Sequence, residues 1–156
     1  MSKGTDYQLL AAQLRALAEG ETARLPILAN ASALIMEALP DVSWAGFYLD
    51  DGAGELVLGP FQGKVACMRI AWGRGVCGTA AQEDATQLVP NVHEFAGHIA
   101  CDSASNSEVV IPIHENGEVM GVLDLDSTSL VRFDEDDAAG LELFVGALEE
   151  LLPNLR

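Results

Sequence analysis

The chain has 156 residues, 49% of them hydrophobic, which fits one domain with its own core. Its 24 acidic and 8 basic side chains give a formal net charge of -16. That charge repels phosphate backbones and anionic lipid headgroups, so nucleic acid and membrane partners are disfavoured. No apolar run is long enough to cross a bilayer and none is typical of a secretion signal, so we expect a soluble, cytoplasmic protein.

Two helices are predicted first. Leucines at helical spacing predict a helix over residues 7–19, with Gly20 following the last periodic position. Thr22 is a suitable N-cap for a second helix, whose apolar positions keep a period of 3.6 residues until Pro40. These two segments are expected to form a helical hairpin.

Strands follow. Apolar and aromatic residues from Ser43 to Leu49, the turn DDGAGE and the segment ELVLGPF predict a β-hairpin, and ACMRI predicts a third strand. GRGVCGTAAQE is typical of a glycine-rich turn that opens a short helix, with Gly78 allowing close backbone approach and Thr79 to Glu83 helical. After a short strand, TQLVP, residues 91–106 form a long irregular loop, and loops of that length are usually functional.

The last third of the chain has the clearest pattern. Two apolar runs flank Asn116-Gly117, a strong hairpin signal. Asp134 is a suitable N-cap for a closing amphipathic helix. The order of elements predicts an α+β domain, with two N-terminal helices and one C-terminal helix on one face of an antiparallel sheet. The other face is left for a ligand.

Three carboxylates are candidates for that ligand face. Asp124 and Asp126 are two residues apart on one strand and therefore share a face, and Glu108 begins the partner strand. One interpretation is a solvated face. The other is a cluster that holds an ammonium group, in which mutual repulsion raises at least one pKa and leaves a protonated acid near neutral pH.

All three cysteines, Cys67, Cys77 and Cys101, fall within 35 residues. Their spacings of 10 and 24 lack the close pairs of a structural zinc site, which favours redox or nucleophilic thiols over a metal, with buried core cysteines as the alternative. A helix N-terminus would favour the thiolate of Cys77. Cys101 lies in the long loop near His98, although the adjacent Asp102 opposes ionisation. Spacing does not decide between these two thiols.

The remaining candidates carry weaker signals. His93, His98 and His114 share no ligand spacing, so no metal site is predicted for them. Trp44, Phe47 and Tyr48 are expected in the core, with the alternative that one of them walls a pocket.

Four blocks of sequence resemble a known family. GPFQGKVACMRI, GRGVCGTAA, LVPNVHEFAGHIACDSASNSEVVIPI and GVLDLDS together resemble the free methionine-(R)-sulfoxide reductases, which are single GAF domains. The likeness covers nearly the whole chain. It implies one GAF domain over residues 1–156, with a core at about 22–152, and an oxidoreductase that converts free methionine-(R)-sulfoxide to methionine.

The resemblance also implies roles for individual residues. Matched by position, Cys101 is the nucleophile, Cys67 resolves it through a disulfide and Cys77 plays a supporting part. Glu108, Asp124 and Asp126 match the family's carboxylates and would protonate the sulfoxide oxygen and bind the substrate's ammonium group. The aromatic residues that would hold the methyl end of the substrate are Trp44 and Tyr48.

No cofactor is implied beyond a thioredoxin-type dithiol as electron donor, and the family suggests a homodimer. Two other functions remain possible at this stage. GAF domains also serve as small-molecule sensors, and three thiols are compatible with a redox switch that has no substrate.

Overall fold

We describe the fold from a computed structural model, which covers residues 2–99, 101 and 103–156. The order of elements agrees with the order expected from the sequence. The four helices are α1 (Lys3–Ala18), α2 (Arg24–Ala38), α3 (Gly75–Glu83) and α4 (Glu135–Leu151). The six strands are β1 (Trp44–Asp50), β2 (Glu55–Gln62), β3 (Arg69–Ala71), β4 (Gln87–Val89), β5 (Ser107–Glu115) and β6 (Glu118–Ser127).

The strands form one antiparallel sheet in the order β3-β2-β1-β6-β5-β4. Strands β5 and β6 are the hairpin predicted around Asn116-Gly117, whose φ angles of 55° and 78° match the left-handed pair that a two-residue hairpin turn requires. The predicted α+β architecture is therefore confirmed.

Helices α1, α2 and α4 cover one face of this sheet, as predicted. Their apolar side chains form a continuous core with alternate residues of the central strands, among them Leu14, Ile35, Phe47, Leu125 and Phe144. Asp134 caps α4 as expected, because its side chain accepts a hydrogen bond from the backbone N–H of Asp137 in a reciprocal capping box.

The start of α2 differs from the prediction, because Thr22 is not its N-cap. The cap position is Ala23, which has no side-chain cap hydrogen bond. The C-terminal residue replaces that cap: the backbone N–H of Arg24 donates to the carbonyl of Arg156, whose own N–H donates to the carbonyl of Thr22. A backbone carbonyl distant in the chain thus accepts the hydrogen bond of a helix N-terminal N–H group, and the nearby Thr22 hydroxyl does not act as the cap.

The second sheet face is covered by α3 and the loop that precedes β5. A separate apolar cluster there includes Trp44, Tyr48, Val76 and Cys77. Helix α3 begins at Gly75, four residues earlier than predicted, because the glycine-rich turn is itself helical. A Cβ atom on Gly78 would clash with the carbonyl of Ala71, which explains the close backbone approach.

The third strand is shorter than ACMRI suggested. It begins at Arg69, so Cys67 lies in the loop before it. The Cys67 carbonyl accepts a hydrogen bond of 2.8 Å from the Tyr48 hydroxyl. The Tyr48 side chain thus satisfies a backbone carbonyl that the predicted strand would have paired with a neighbouring strand. Among the described residues, no helix has both the length and the hydropathy to span a membrane.

His114 on β5 joins the helices of both sheet faces. Its Nε2 lies 2.5 Å from Oδ1 of Asp84, which caps α3, and its Nδ1 lies 2.7 Å from Oε2 of Glu149 on α4. Burial lowers the pKa of His114, but the hydrogen bonds and charges of these two carboxylates outweigh it, so the net pKa is raised. Glu142 of α4 lines the same cleft and adds to the negative potential.

Replacing His114 with Gln should therefore lower the free energy of unfolding mainly at acidic pH. Because the folded-state pKa is raised, the stabilisation is fully present below the ordinary value near 6.5 and is lost as the pH rises through the raised one. We expect a loss of about 0.5–1 kcal/mol at pH 5.5 by urea unfolding, the range for partly exposed ion pairs, and a smaller loss at pH 8.5. His93→Gln, on an exposed turn, is the control; an equal loss for His114→Gln at both pH values would contradict this account.

Candidate active site

Asp124 and Asp126 share a face as predicted, and Glu108, whose face the sequence left open, joins them near the centre of the sheet. Glu108 on β5 lies directly opposite Asp126 on β6, and Asp124 is on the same face one pleat further along. Glu108 and Asp124 are only 7% and 5% exposed. The carboxylates therefore line a pocket beneath α3 and the long loop, and the interpretation as a solvated face is wrong.

This burial changes the protonation of the cluster. Loss of hydration raises the pKa of Glu108 well above its ordinary value, and the charges of Asp124 and Asp126 raise it further. Burial also raises the pKa of Asp124, although hydrogen bonds to Glu108 and Cys77 offset part of that effect. Burial and the neighbouring charges therefore favour the protonated form of Glu108. Oδ1 of Asp124 is buried with no hydrogen-bond partner among the described residues, so this oxygen is available to a ligand.

Cys77 is the third residue of α3, close to the helix N-terminus as predicted, but its thiol does not ionise easily. It is 4% exposed, and burial raises its pKa well above the ordinary value, with further contributions from Asp124 and Glu108. The expectation that the helix dipole favours a Cys77 thiolate is wrong. Desolvation and two carboxyl groups outweigh the backbone dipole.

Cys77, Glu108 and Asp124 each place one potential ligand atom within 4.8 Å of the others. That is close enough for three atoms to share a small cation. The raised pKa of each of the three groups means that protons compete strongly with any metal at neutral pH. The raised pKa values therefore favour a cluster that carries protons.

Cys67 and Cys101 form a disulfide bond with a Cα–Cα distance of 5.4 Å. The two residues are 34 positions apart, and the loop before β5 brings Cys101 over the mouth of the pocket. Cys101 lines this pocket together with His98, whereas Cys67 is not among the lining residues. Burial and nearby His93 lower the pKa of His98. Asp102, which the sequence places beside Cys101, lies outside the described residues.

Two aromatic residues of β1 form one wall of the pocket. Trp44 and Tyr48 are 3% and 2% exposed and stack with ring centroids 6.0 Å apart. Nε1 of Trp44 donates to the carbonyl of Lys64 at 3.0 Å, and the Tyr48 hydroxyl donates to Cys67 as described above. These side chains therefore line the pocket and also hold the Cys67 segment. Phe47 points the other way, into the helical core.

The sequence did not single out some residues of the pocket. Arg74, at the N-cap of α3, is the arginine among the described lining residues, and Ser105 and Ile99 also line the pocket. Gly73 and Gly75 on either side of Arg74 could have indicated this position, because they mark the tight turn from which the Arg74 side chain extends. In the disulfide form the cavity measures about 40 Å³, room for only a few water molecules.

A family model described as a GAF domain matches residues 25–152. The free methionine-R-sulfoxide reductase of Escherichia coli K12 is 53% identical over 154 residues, which cover 97% of this chain and 92% of the relative. This chain belongs to the GAF-domain family of free methionine-R-sulfoxide reductases.

Solved structures of the same family agree with this assignment. The free methionine-R-sulfoxide reductase of Neisseria meningitidis, in complex with its substrate, superposes with a TM-score of 0.94 at 42% identity and covers 99% of this chain and 92% of its own. The reduced Staphylococcus aureus member gives a TM-score of 0.89 at 48% identity, over 94% of each chain. The family resemblance found in the sequence is confirmed at the level of the fold.

The buried acid implies a stability cost that Glu108→Gln should relieve. An unfolded glutamic acid loses its proton above its ordinary pKa of 4.5, whereas folded Glu108 keeps it, so folding loses stability as the pH rises through that window. We expect the variant to exceed the parent by about 1–2 kcal/mol in urea unfolding at pH 7.5, a typical size for one substitution. The difference should shrink near pH 4.

Exposed Glu118 on β6 provides a matched control, and Glu118→Gln should show little pH-dependent gain. Both proteins are compared with the Cys67–Cys101 disulfide intact. A Glu108→Gln variant less stable than the parent at pH 7.5 would contradict the raised pKa.

Proposed function

We propose that this protein reduces free L-methionine-(R)-sulfoxide to L-methionine. The observation that carries the proposal is that Cys101, bonded to Cys67, lines the same pocket as Glu108, a buried carboxyl group whose pKa is raised. A thiol next to an acid is what sulfoxide reduction requires, because the oxygen leaves sulfur readily only when it is protonated. The relative from Escherichia coli carries this activity in its name.

In the first step the Cys101 thiolate attacks the sulfoxide sulfur, and Glu108 gives a proton to the oxygen. Oxygen is transferred to Cys101 as a sulfenic acid, and methionine leaves with its sulfur reduced by two electrons. The Cys67 thiol then attacks the Cys101 sulfenic acid, which forms the disulfide and releases water. A dithiol reductant of the thioredoxin type restores both thiols by exchange.

The rest of the pocket supports a free amino acid as substrate. The unpartnered Oδ1 of Asp124 and the carboxyl group of Asp126 face the ammonium group. Arg74 supplies positive charge for the carboxylate, and Trp44 and Tyr48 supply an apolar wall for the methyl end. A peptide-bound methionine sulfoxide has neither terminal charge, so it would leave these buried groups unpaired. Cys77 on α3 stays a neutral thiol that interacts with Asp124 and supports the acid cluster.

A cavity of about 40 Å³ is smaller than methionine sulfoxide, and we therefore expect the substrate to bind after the disulfide is reduced. The loop that carries Cys101 must then move away from Cys67. Substrate and reductant therefore bind to different forms of the enzyme: the substrate to the reduced form and the reductant to the disulfide form. A cytoplasmic location, where thiols are kept reduced, and the homodimer suggested by the family belong to the same proposal.

Single-turnover assays on cysteine variants test the proposed roles. Cys101→Ser should release no methionine from free methionine-(R)-sulfoxide, whereas Cys67→Ser should release one equivalent and then stall until a small-molecule thiol is added. Cys77→Ser should retain the first turnover. Chromatography of released methionine measures all three, with the (S)-epimer and a peptide-bound sulfoxide as substrate controls. Release by Cys101→Ser together with none by Cys77→Ser would reverse the assignment.

The acid is tested by Glu108→Gln and Asp126→Asn. We expect each to slow methionine release in a single turnover by about 10²–10⁴-fold, the usual contribution of a positioned proton donor, with the circular dichroism spectrum unchanged. In the parent, this rate should fall as the pH rises through the raised pKa of Glu108, because the proton is then lost. Glu108→Gln should lack that alkaline decrease. An unchanged single-turnover rate in both variants would remove the carboxylates from the mechanism.

A further inference from the structure

The side chain of Asn106 fastens the base of the loop that carries Cys101. In the sequence, Cys101 lies five residues before Asn106, and Glu108 lies two residues after it. Asn106 therefore stands between the proposed nucleophile and the proposed acid, at the point where the loop ends and β5 is about to begin. A shift of this residue changes the position of the thiol relative to the carboxyl group.

The backbone of Asn106 closes the loop. Its carbonyl accepts a hydrogen bond of 3.0 Å from the N–H of Val92 at the other end of the loop. Its own N–H donates to the carbonyl of Ser127, the last residue of β6, at 2.8 Å. Val92 is fully buried. Residues 93–105 thus leave the fold and return to it at one place, as in a compact surface loop whose ends are close together.

The amide group of Asn106 adds two contacts at the same place. Its Nδ2 donates to the carbonyl oxygen of Thr128 at 2.6 Å, and its Oδ1 lies 2.8 Å from Nε2 of His93. Because a carbonyl oxygen only accepts, the amide nitrogen must face Thr128 and the amide oxygen must face His93, whose Nε2 donates. One side chain thus joins the first residues of the loop to the connection between β6 and α4.

That connection holds the chain on both sides of the loop. Before the loop, the carbonyl of Pro90 accepts a hydrogen bond of 2.9 Å from the N–H of Val131. After it, the hydroxyl of the fully buried Ser107 donates to the carbonyl of Ser129 at 2.6 Å and accepts from the N–H of Arg132. The contacts of Asn106 therefore attach the loop to a base that is fixed by further hydrogen bonds.

The far end of the loop is attached differently in the two redox forms. In the disulfide form Cys101 is bonded to Cys67. Ile99 also packs against Gly75 at the start of α3, where a Cβ atom would come within 3.2 Å of the Ile99 side chain. Reduction removes the covalent bond, so the position of the Cys101 thiol then depends on non-covalent contacts. The contacts of Asn106 involve no sulfur atom and are present in either form.

We propose that Asn106 is a positioning residue, which holds Cys101 at the acid cluster while the disulfide is open. Asn106 is not among the described residues that line the pocket, so it acts through the loop. A chain spans up to about 3.3–3.6 Å per residue, so five residues without a fixed base let the thiol move well away from the sulfoxide. Attack requires reacting atoms roughly 3–3.5 Å apart, so lost position slows the chemical step. The inference rests on the proposed function.

The first experiment compares Asn106→Ala with the parent in a single turnover of fully reduced protein. At saturating sulfoxide we expect methionine release to slow by about 10–100-fold, the size of effect that a small misplacement of a reacting group produces. The dissociation constant of the sulfoxide, measured by calorimetry on a Cys101→Ser background, should stay within about twofold. The groups proposed to bind the substrate lie on strands and on α3, so a positioning role leaves binding unchanged.

Asn91→Ala is the matched control. Asn91 is at the other end of the loop, and its Oδ1 accepts a hydrogen bond of 3.0 Å from the N–H of His93, two residues away. This change removes a local contact and leaves those of Asn106, so the rate should stay within about twofold of the parent. His93→Ala removes one of the two amide contacts and should slow release by about three- to tenfold. Added to Asn106→Ala it should cost little more, because both changes remove the same hydrogen bond.

The second experiment measures the position of the loop without the sulfoxide. The equilibrium of Cys67 and Cys101 with a glutathione redox buffer gives the effective concentration of one thiol at the other. We expect Asn106→Ala to lower this concentration about tenfold and Asn91→Ala to leave it unchanged. A parent that releases no methionine would contradict the proposed function, whereas this equilibrium would still report the effect of Asn106 on the loop.

Four results would overturn the positioning role. They are a parental rate of methionine release in Asn106→Ala, a parental effective concentration in that variant, an equal loss of rate in Asn91→Ala, and a dissociation constant that rises in step with the loss of rate. The last result would make Asn106 part of the binding site. Circular dichroism of the disulfide form checks that each variant folds. If Asn106→Ala does not fold, His93→Ala on the exposed turn decides by the same two measurements.

Discussion

Two carboxyl groups, Glu108 and Asp124, are buried side by side on the β5–β6 hairpin, and the rest of the site depends on how that burial is tolerated. A buried carboxyl group loses hydration, and the fold meets this cost by keeping a proton on Glu108. The register of the β5–β6 hairpin fixes the sheet face on which these two carboxyl groups lie. Val109 and Leu125, the alternate residues, are fully buried in the helical core, so the acids must face the opposite side.

The aromatic pair on β1 connects this acid cluster to the thiols. Trp44 lies opposite Asp126 in the sheet, and Tyr48 is four residues further along the same face of β1. Their rings close the pocket while their polar atoms hold the carbonyls of Lys64 and Cys67. A rigid strand thereby positions a loop cysteine, which combines the precision of a sheet with the freedom that disulfide exchange needs.

The three cysteines differ in their chemistry because they occupy different places in the fold. The most buried thiol, Cys77, is surrounded by acids and is held neutral, whereas Cys67 and Cys101 lie in loops where they meet each other. Proximity to a helix N-terminus is a local property and a weak one. Burial against two carboxyl groups is a property of the folded molecule, and for an ionising thiol it is the larger effect.

The amino-acid sequence by itself determined the order of the elements, the β5–β6 hairpin, the Asp134 cap and the shared sheet face of Asp124 and Asp126. These features depend on local backbone chemistry and on a side-chain period of two, which neighbouring residues express directly. Only the tertiary structure decided that the acids are buried, that Cys77 stays protonated, that Arg156 and not Thr22 completes the start of α2, and that Arg74 enters the pocket. Each of these depends on desolvation or on contacts between residues distant in the chain, and neither is encoded in any short stretch of sequence.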